Sequence, residues 1–463
     1  MPVRTGSETV VEQGGPLHGR GWELYLIASA ALIAIVVPGG PGQSALVDVV
    51  NLIALVAFTG ALVARGVPLT LPFLGPIVVI AAGSLLAMTN ARSLSAGALA
   101  MLQDAYLYAW FAMLVALMCR RGDDLFRVRV AWVIAADLVA VYSMALMALG
   151  HSPGIGVSTS WRDLLPSSDF RPSATFQNAN QFGSYLMVTA FVLVGLIGRL
   201  RARWLLLSAV LLGMALMTTK SNGSIIAMTA GLAAWAMVRG IDRGPSAAGM
   251  FGLASLAVAL VILLGWAHSE WGVGTGMIHE VQRKSFVGRL AKSSGSREHI
   301  WRLLERSYEQ SPLGIGPGNS VLQVVPIGDR LRGNETDFQS KEAHSDYLAY
   351  AVERGPIGVL GLLAFLGAAF ARVLRGRKRV AWRAPGPEAA ALWASLVGVL
   401  VAVSVHALVI ESLHFRHVWF ALAIACALTA RREAEATRPV LTLAPSRPRA
   451  PATPAAVPIR WAP

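Results

Sequence analysis

The sequence predicts an all-α, polytopic integral membrane protein with about twelve transmembrane helices and one long, partly helical extracytoplasmic loop. Of the 463 residues 55% are hydrophobic, the mean hydropathy is +0.55 and only 14% are charged, a composition outside the range of ordinary soluble domains. Apolar runs close to the ~20 residues that cross the hydrocarbon of a bilayer recur along the chain. Basic residues cluster in alternate connections between these runs, as they do in multi-pass membrane proteins.

The apolar runs define the predicted spans in chain order. They form one transmembrane domain over residues 22–430, in which residues 268–344 are the large loop. The flanking residues 1–21 and 431–463 are predicted to be cytoplasmic tails, and the second tail, rich in proline and alanine, is predicted to be disordered. The spans lie at 22–38, 44–64, 69–88, 96–119, 129–149, 179–198, 203–219, 223–239, 247–267, 345–371, 388–410 and 414–430.

The basic residues also orient the chain. Arginines follow the fourth, sixth, eighth and tenth predicted spans, and the C-terminal tail is basic. Positive residues mark the cytoplasmic side of a membrane, so both termini are predicted to be cytoplasmic and residues 268–344 extracytoplasmic. The net charge of +14 fits this arrangement, because most basic side chains flank spans, where they meet anionic lipid headgroups. Membrane lipid, and not nucleic acid, is therefore the expected partner of this charge.

Several common chemistries have no support in the sequence. The only two cysteines are Cys119 and Cys426, both near predicted cytoplasmic helix ends, so neither a disulfide framework nor a cysteine metal site is expected. The chain has no Gly-rich P-loop, no HExxH motif and no pair of outer carboxylates in a metal-binding pattern, which leaves ATP hydrolysis and zinc proteolysis unsupported. We expect no cofactor and no bound metal.

The large loop contains a predicted amphipathic helix. In SREHIWRLLERSYEQ, Ile300, Leu303, Leu304 and Tyr308 recur at helical spacing, while charged residues occupy the other faces. We expect this helix to lie on or beside the bilayer. The SPLGIGPGN segment that follows predicts a helix stop and a glycine-rich turn.

Arg171 is the first candidate for anion binding. It precedes a polar turn, and Asn178 and Asn180 then open the next predicted span. A guanidinium beside a helix N-terminus combines charged donors with unpaired backbone N–H groups, and this combination suits a phosphate. An interfacial arginine bound to lipid headgroups is an equal alternative.

A second group of basic residues leads into the amphipathic helix. Arg297 stands in the first turn of that helix, where the helix dipole disfavours a cation, so an anionic partner is expected. Arg283 lies earlier in the same basic approach. Solvated surface charge is the alternative for these residues.

His344 lies where the polar loop meets the next predicted span, in EAHSDYLAYAVERGPIG. An imidazole with a pKa near 6.5 can accept a proton from a hydroxyl at neutral pH, and this position can be reached both by a lipid-linked group and by a water-borne acceptor. A capping or interfacial histidine is the alternative. Second-rank candidates are Lys220 and Arg416, predicted outer-side cations, and Glu353, which with Arg354 could equally form structural ion pairs.

At these residues the sequence resembles the bacterial O-antigen ligase and O-antigen polymerase family of membrane glycosyltransferases. The resemblance rests on the order of RPSATFQNANQFG before a span, a short polar turn two spans later, a long outer loop with SGSREHIW and SPLGIGPGN, and then HSDYL and ERGPIGVLGLL. It covers roughly residues 165–430. Two positions depart from the family pattern: the usual Ser-Arg is Lys220-Ser221 here, and the usual His-Asn is His344-Ser345.

The resemblance implies a GT-C-like, metal-independent, inverting transferase of the bacterial inner membrane that acts on its outer face. Such an enzyme moves a glycan from undecaprenyl pyrophosphate to a hydroxyl of a glycan or glycolipid acceptor. By this resemblance Arg171 and Arg297 correspond to arginines that hold the donor pyrophosphate, and His344 to the histidine that activates the acceptor. Arg283 is a looser match to a further basic loop position. Lysine at 220 keeps the charge but loses bidentate phosphate contact.

Two other classes of function are considered. A transporter or flippase of lipid-linked glycans would have a similar basic cavity, although a carrier has no need for a histidine beside the arginines. A structural scaffold for an envelope complex leaves the outer arginines unexplained.

Overall fold

A computed structural model describes residues 19–36, 46–65, 71–121, 123–148, 171–243, 300–301, 304–320, 326–327, 337–338, 343–384 and 388–430. The predicted all-α class is confirmed, since helices account for nearly all regular structure in this part of the chain. A two-residue strand pair, β1 (Pro326–Ile327) with β2 (Asp337–Phe338), is antiparallel. The helices are α1 (Arg20–Leu32), α2 (Leu46–Arg65), α3 (Leu74–Ala87), α4 (Leu94–Arg120), α5 (Phe126–Ala148), α6 (Ala179–Val194), α7 (Ala202–Thr219), α8 (Asn222–Arg243), α9 (Asp346–Arg375), α10 (Arg377–Arg383), α11 (Glu388–His406) and α12 (Arg416–Leu428).

Helix length decides which helices can cross a bilayer. Among the described residues, seven helices are long and apolar enough: α2, α4, α5, α7, α8, α9 and α11. The apolar helices α3, α6 and α12 are shorter, and α1 has 13 residues, which at 1.5 Å per residue covers about 20 Å of the ~30 Å hydrocarbon. The predicted count of twelve spans is therefore not confirmed. The predicted span 247–267 lies outside the described residues.

Ion pairs join the helix ends on the arginine-rich side. Asp124 accepts from the buried Arg129 at 2.8 Å and from Arg199 at 2.6 Å, and Arg121 pairs with Glu23 at 2.8 Å. We call this the basic end. The opposite end, where α4, α6, α8, α9 and α12 begin, is called the loop end. Arg121 and Arg199, from two of the connections that the sequence predicts to be cytoplasmic, thus lie at the same end.

Small residues allow the central helices to pack closely. A Cβ built at Gly231 of α8 would lie 2.5 Å from the carbonyl oxygen of Gly398 of α11. On the other side, a Cβ at Gly83 of α3 would lie 2.6 Å from the backbone nitrogen of Gly358 of α9. Such contacts let backbones approach within a membrane, where apolar burial gives little drive for association. They hold α8 against α11 and α9 against α3.

The glycine-rich segment 311–319 packs into a kink of α9. Pro356 has no N–H, so the carbonyl of Val352 cannot be bonded within the helix, and Gly355 leaves helical geometry with φ +64. The loop supplies the missing donors. The N–H of Ile315 donates to the Val352 carbonyl at 2.9 Å, and the N–H of Gly316 donates to the next carbonyl of α9 at 3.0 Å. The backbone groups freed by proline are therefore satisfied by the loop.

Glycine is required on both sides of this contact. Gly314 has φ +100, and a Cβ there would lie 2.8 Å from the backbone nitrogen of Gly355, whose own Cβ would lie 2.6 Å from the carbonyl oxygen of Leu313. Asn319, at the end of the segment, accepts from the backbone N–H of Ser93 at 2.9 Å. The predicted glycine-rich turn is present, and it anchors the loop to α4 and α9.

The predicted amphipathic helix is confirmed at its described positions. Ile300 and Leu304 are buried in a small cluster with Ala343 and Val352, and residues 304–310 are helical. Glu305 is exposed. The helix therefore turns its apolar face toward the start of α9.

Candidate functional site

The sequence-predicted site residues with described positions lie at the loop end. Arg171 and Lys220 form one group and His344 forms a second, whereas Glu353 and Arg416 contact other partners. Both groups are hydrogen-bonded to the C-terminal end of α11 or to residues 407–415, which connect α11 to α12.

The helix ends of α6 and α7 hold Arg171. Its Nε donates to the carbonyl of Thr219, the last residue of α7, at 2.8 Å, and its Nη2 donates to Oδ1 of Asn180 in the first turn of α6. The side chain of Asn178 caps α6 by accepting from the N–H of Gln181 at 2.9 Å. A guanidinium thus stands beside the N-terminus of α6, and anion binding there stays a prediction.

Lys220 lies next to this group. It ends α7 in a left-handed conformation with φ +52, and its N–H donates to the carbonyl of Met217. Ser221 follows directly and precedes α8. The backbone therefore places Lys220 between two helices at the loop end.

A buried polar chain continues from Asn180 into the protein. Ser221 Oγ lies 3.3 Å from Asn180 Oδ1, Ser224 Oγ lies 2.9 Å from Ser221 Oγ, and His406 Nε2 lies 3.1 Å from Ser224 Oγ. Both serines and the histidine are at most 1% exposed. Polar side chains from α6, α8 and α11 thus form one continuous path that ends at Arg171.

His344 forms the second group and has an unusual backbone conformation. Its φ is +55, and its N–H donates to Oε1 of Glu411 at 3.2 Å. The indole of Trp301 donates to the carbonyl of Ala343 at 2.9 Å, and Ser345 caps α9 by accepting from the N–H of Leu348. The imidazole is half-buried.

Asp346 fastens the start of α9 to the α11–α12 connection. Its N–H donates to the carbonyl of Ala407 at 2.8 Å, and its carboxylate accepts from both the N–H and the hydroxyl of Ser412, at 2.8 and 3.0 Å. Since Ala407 directly follows His406, the two groups meet at the same turn.

Desolvation by burial, together with the nearby Arg416, lowers the pKa of His414 in this connection to about 4, so that histidine adds no positive charge at neutral pH.

Two second-rank candidates make contacts with structural partners. Glu353 is buried and accepts from the N–H and the hydroxyl of Ser320, at 3.2 and 2.5 Å. Arg416 is buried at the start of α12 and forms an ion pair with Asp48 of α2. These contacts favour structural roles, and a role in the site stays a prediction for both.

Arg283 and Arg297 lie outside the described residues. The chain is described again from Ile300, three residues after Arg297. Within the described residues, no group of three or more His, Cys, Asp or Glu side chains is arranged to hold a metal ion.

Ser224, His406 and Glu411 were not singled out by the sequence analysis. Each is a polar residue near the loop end of an apolar helix, and the sequence alone shows this. The sequence alone does not show that they lie close together, because the contact between Ser224 and His406 joins positions 182 residues apart and depends on the packing of α8 against α11.

The fold and the site define a multi-pass helical membrane protein in which the candidates Arg171, Lys220 and His344 lie at the loop end. Residues 207–363 match the family model described as O-Antigen ligase. The matched segment is that of the O-antigen ligase and polymerase family, so the predicted resemblance is confirmed there. It contains Lys220, Arg283, Arg297, His344 and Glu353, whereas Arg171 and Arg416 lie outside it. No curated protein matches the chain.

Proposed function

We propose that the protein is a membrane glycosyltransferase that moves a glycan from undecaprenyl pyrophosphate to an acceptor hydroxyl with inversion of the anomeric centre. One observation carries the proposal. A guanidinium from the segment before α6 and an imidazole from the start of α9 lie at the same end of the helical domain, on elements that meet at His406 and Ala407. The match to an O-antigen ligase family model over the segment that contains His344 supports this choice.

Arg171 is assigned to the donor pyrophosphate. Cleavage of the glycosidic C–O bond leaves the electron pair on the pyrophosphate, and negative charge develops there. Preorganised guanidinium donors stabilise such charge in a partly dehydrated site without a metal ion. We assign Arg297 to the same task from the resemblance to the family. Ile300, three residues later in the chain, belongs to the buried cluster that contains Ala343. Arg283 and Lys220 are assigned as supporting cations.

His344 is assigned as the general base. As the acceptor hydroxyl attacks the anomeric carbon from the face opposite the leaving pyrophosphate, a new C–O bond forms and the hydroxyl proton passes to the imidazole. The carboxylate of Glu411 accepts from the backbone N–H of His344, and this contact helps to fix the residue that carries the imidazole. One base within hydrogen-bond reach is sufficient for this step.

The location follows from the same assignment. The donor is a lipid, so the site must open at the bilayer surface, and we assign the loop end to the extracytoplasmic face of the bacterial inner membrane. The acceptor is a glycan or glycolipid, which makes the protein a polymerase or a ligase of cell-surface polysaccharide.

The first prediction concerns the two described site residues. Arg171→Ala should lower the rate of glycan transfer from an undecaprenyl-pyrophosphate donor by about 10²–10³-fold, the usual loss for one preorganised charge-stabilising group. His344→Ala should lower it by about 10²–10⁴-fold, the usual contribution of a general base. Arg171→Lys should recover only part of the rate, because lysine lacks the bidentate fork. The measurement is product formation by purified protein in liposomes, with EDTA present.

The control is Arg127→Ala, which removes an exposed arginine at the basic end and should leave the rate unchanged. Full activity of both site variants would defeat the assignment. If EDTA abolished transfer by the unmodified protein, the metal-independent mechanism would be wrong. If the liposomes moved glycolipid across the bilayer with no new glycosidic bond, the protein would be a transporter of lipid-linked glycans.

A further inference from the structure

We infer that His406 is a positioning residue for the proposed transfer, acting through Ser224, Ser221 and Asn180 on Arg171. This inference rests on the proposed function of Arg171 as the donor-binding arginine. It extends the site from the surface into the membrane domain, to a histidine on α11 that has no direct access to substrate.

The donors and acceptors in the series of hydrogen bonds from Arg171 to His406 follow from the chemistry of each group. Arginine can only donate, so the atom of Asn180 that Arg171 contacts is the carbonyl oxygen. The Ser221 hydroxyl contacts the same oxygen and must therefore also donate to it. Ser221 has then used its only proton, so Ser224 must donate to Ser221. Ser224 in turn must accept from His406, which therefore carries a proton on Nε2.

The Asn180 amide has one orientation in which all of these hydrogen bonds are satisfied. An asparagine side chain can turn over and exchange its oxygen for its NH₂ group. With NH₂ in place of oxygen, two donors would face each other at Arg171 and two more at Ser221. With the oxygen toward the guanidinium, every hydrogen bond between Arg171 and His406 has one donor and one acceptor, so a proton on Nε2 of His406 stabilises this orientation of the amide.

Burial makes this constraint strong. Ser221, Ser224 and His406 are at most 1% exposed, and a buried polar group that loses its partner is costly. A Cβ built at Gly183 of α6 would lie 2.8 Å from both Ser221 Cβ and Ser224 Oγ, so α6 is packed directly against the two serines. The serines therefore have little room to adopt other rotamers.

The fixed orientation of the Asn180 amide matters for Arg171, because the arginine side chain is exposed. A long, exposed arginine has rotamer freedom that must be lost when it binds a phosphate. The fixed carbonyl of Asn180 and the carbonyl of Thr219 hold the guanidinium before the donor arrives. Disruption of the chain should therefore weaken donor binding without removing any group that touches the donor.

A second buried serine–histidine pair offers a matched control. Ser184 of α6 and His417 of α12 are 2.9 Å apart and buried to a similar degree. This pair joins α6 to α12, whereas the hydrogen bonds from His406 to Asn180 join α11 to α6 through α8. His417→Leu therefore reports the cost of losing a buried histidine in the same domain.

The experiment compares His406→Leu, His406→Gln and His417→Leu in lipid nanodiscs. The dissociation constant for undecaprenyl pyrophosphate and the kcat and KM for the glycan-bearing donor are measured for each. His406→Leu should weaken binding and raise KM by about tenfold, with a smaller change in kcat, since a preorganised contact is lost. His406→Gln keeps an N–H donor and should restore most of the affinity, whereas His417→Leu should bind as the unmodified protein does.

A double-mutant cycle with Arg171→Ala separates this inference from the proposed function. If His406 acts through Arg171, His406→Leu should have no further effect on binding once Arg171 is removed. Additive losses would overturn the inference, as would equal losses in His406→Leu and His417→Leu. If Arg171→Ala itself left binding and transfer unchanged, the proposed function would fail first.

Discussion

His344 holds a left-handed backbone although it carries a side chain. A φ of +55 costs a non-glycine residue about 1–2 kcal/mol, and such conformations persist only where the surroundings determine them. Glu411 receives the N–H of His344, Ser345 caps the helix that follows, and Trp301 holds the preceding carbonyl. The contacts on both sides fix the backbone of His344 directly before the start of α9.

A second prediction at the residue scale concerns the glycine at the kink of α9. Gly355→Ala should destabilise the protein by about 2 kcal/mol or more, because the position has φ +64 and the added Cβ would meet the Leu313 carbonyl at 2.6 Å. The midpoint of thermal unfolding in detergent should fall accordingly.

Gly367→Ala is the matched control, because Gly367 lies in the same helix and nothing lies within 4 Å of its Cβ position. Alanine in a helix is favoured over glycine by roughly 0.5–1 kcal/mol, so this midpoint should stay constant or rise. Equal midpoints for the two variants would show that the kink tolerates a Cβ.

Single residues differ in how much the sequence reveals of them. Arg171 and His344 could be predicted as site candidates because each combines a chemical group with a nearby helix start, and both features are local. The buried partners His406 and Ser224 could not be joined in advance, since their contact spans 182 residues of chain. Sequence patterns carry short-range information, and a hydrogen-bond path between three helices is long-range.

At the scale of the element, α9 carries several of the contacts that organise the loop end in the described part of the protein. Asp346 binds Ser412 at its start, Glu353 binds Ser320, and the kink at Gly355 receives the glycine-rich segment. Much of the segment HSDYLAYAVERGPIG therefore acts to hold the loop and the α11–α12 connection in place. This anchoring is what keeps His344 in a defined position.

The sequence left open whether Glu353 and Arg354 form structural pairs. The structure gives Arg354 two partners on two other helices: Asp104 of α4 at 2.7 Å and the hydroxyl of Ser84 of α3 at 2.8 Å. Its guanidinium also lies 4.6 Å from the ring centroid of Tyr350. Arg354 therefore ties α9 to α3 and α4, although no local pattern named those partners.

A third prediction concerns the two ends of this ion pair. Asp104→Ala should destabilise the protein more than Arg354→Met, because the arginine side chain is only 7% exposed and the aspartate is 41% exposed. Removal of the aspartate leaves a buried charge without its counter-ion, a loss of about 3–5 kcal/mol. Removal of the arginine leaves only the partly exposed carboxylate without its counter-ion.

The measurement is the midpoint of thermal unfolding of each variant in the same detergent. Arg127→Ala serves as reference, since that arginine is 75% exposed in its pair with Glu23 and an exposed pair contributes about 0–1 kcal/mol. A larger loss from Arg354→Met than from Asp104→Ala would contradict the role of burial in this pair.

At the scale of the whole molecule, the sequence predicted the helices better than their lengths. Hydropathy identifies apolar runs, so α5, α7, α9 and α11 begin and end within a few residues of their predicted spans. It cannot identify where a helix stops inside an apolar run, because the stop depends on tertiary contacts. Helix α6 ends at Val194, four residues before the end of its predicted span. The residues that follow form an irregular turn whose backbone hydrogen bonds stay within the turn, such as that from the N–H of Ile197 to the carbonyl of Val194.

The last prediction concerns which end of the molecule faces the cytoplasm. Arginine-rich helix ends are retained on the cytoplasmic side during insertion, and ion pairs gather them at the basic end. The proposed reaction needs the loop end on the other face, where lipid-linked glycans meet their acceptors. Orientation is therefore a requirement of the mechanism, and it can be measured without any activity assay.

The measurement uses a variant without native thiols, Cys119→Ala with Cys426→Ala, to which one cysteine is added at an exposed position. Glu305→Cys, at the loop end, should react with a membrane-impermeant maleimide in intact cells. Arg127→Cys, at the basic end, should react only after the membrane is permeabilised, because both positions are exposed and differ only in the side they face. The reverse pattern would place Arg171 and His344 on the cytoplasmic face, and a transferase that needs an outer-face site could not then use them.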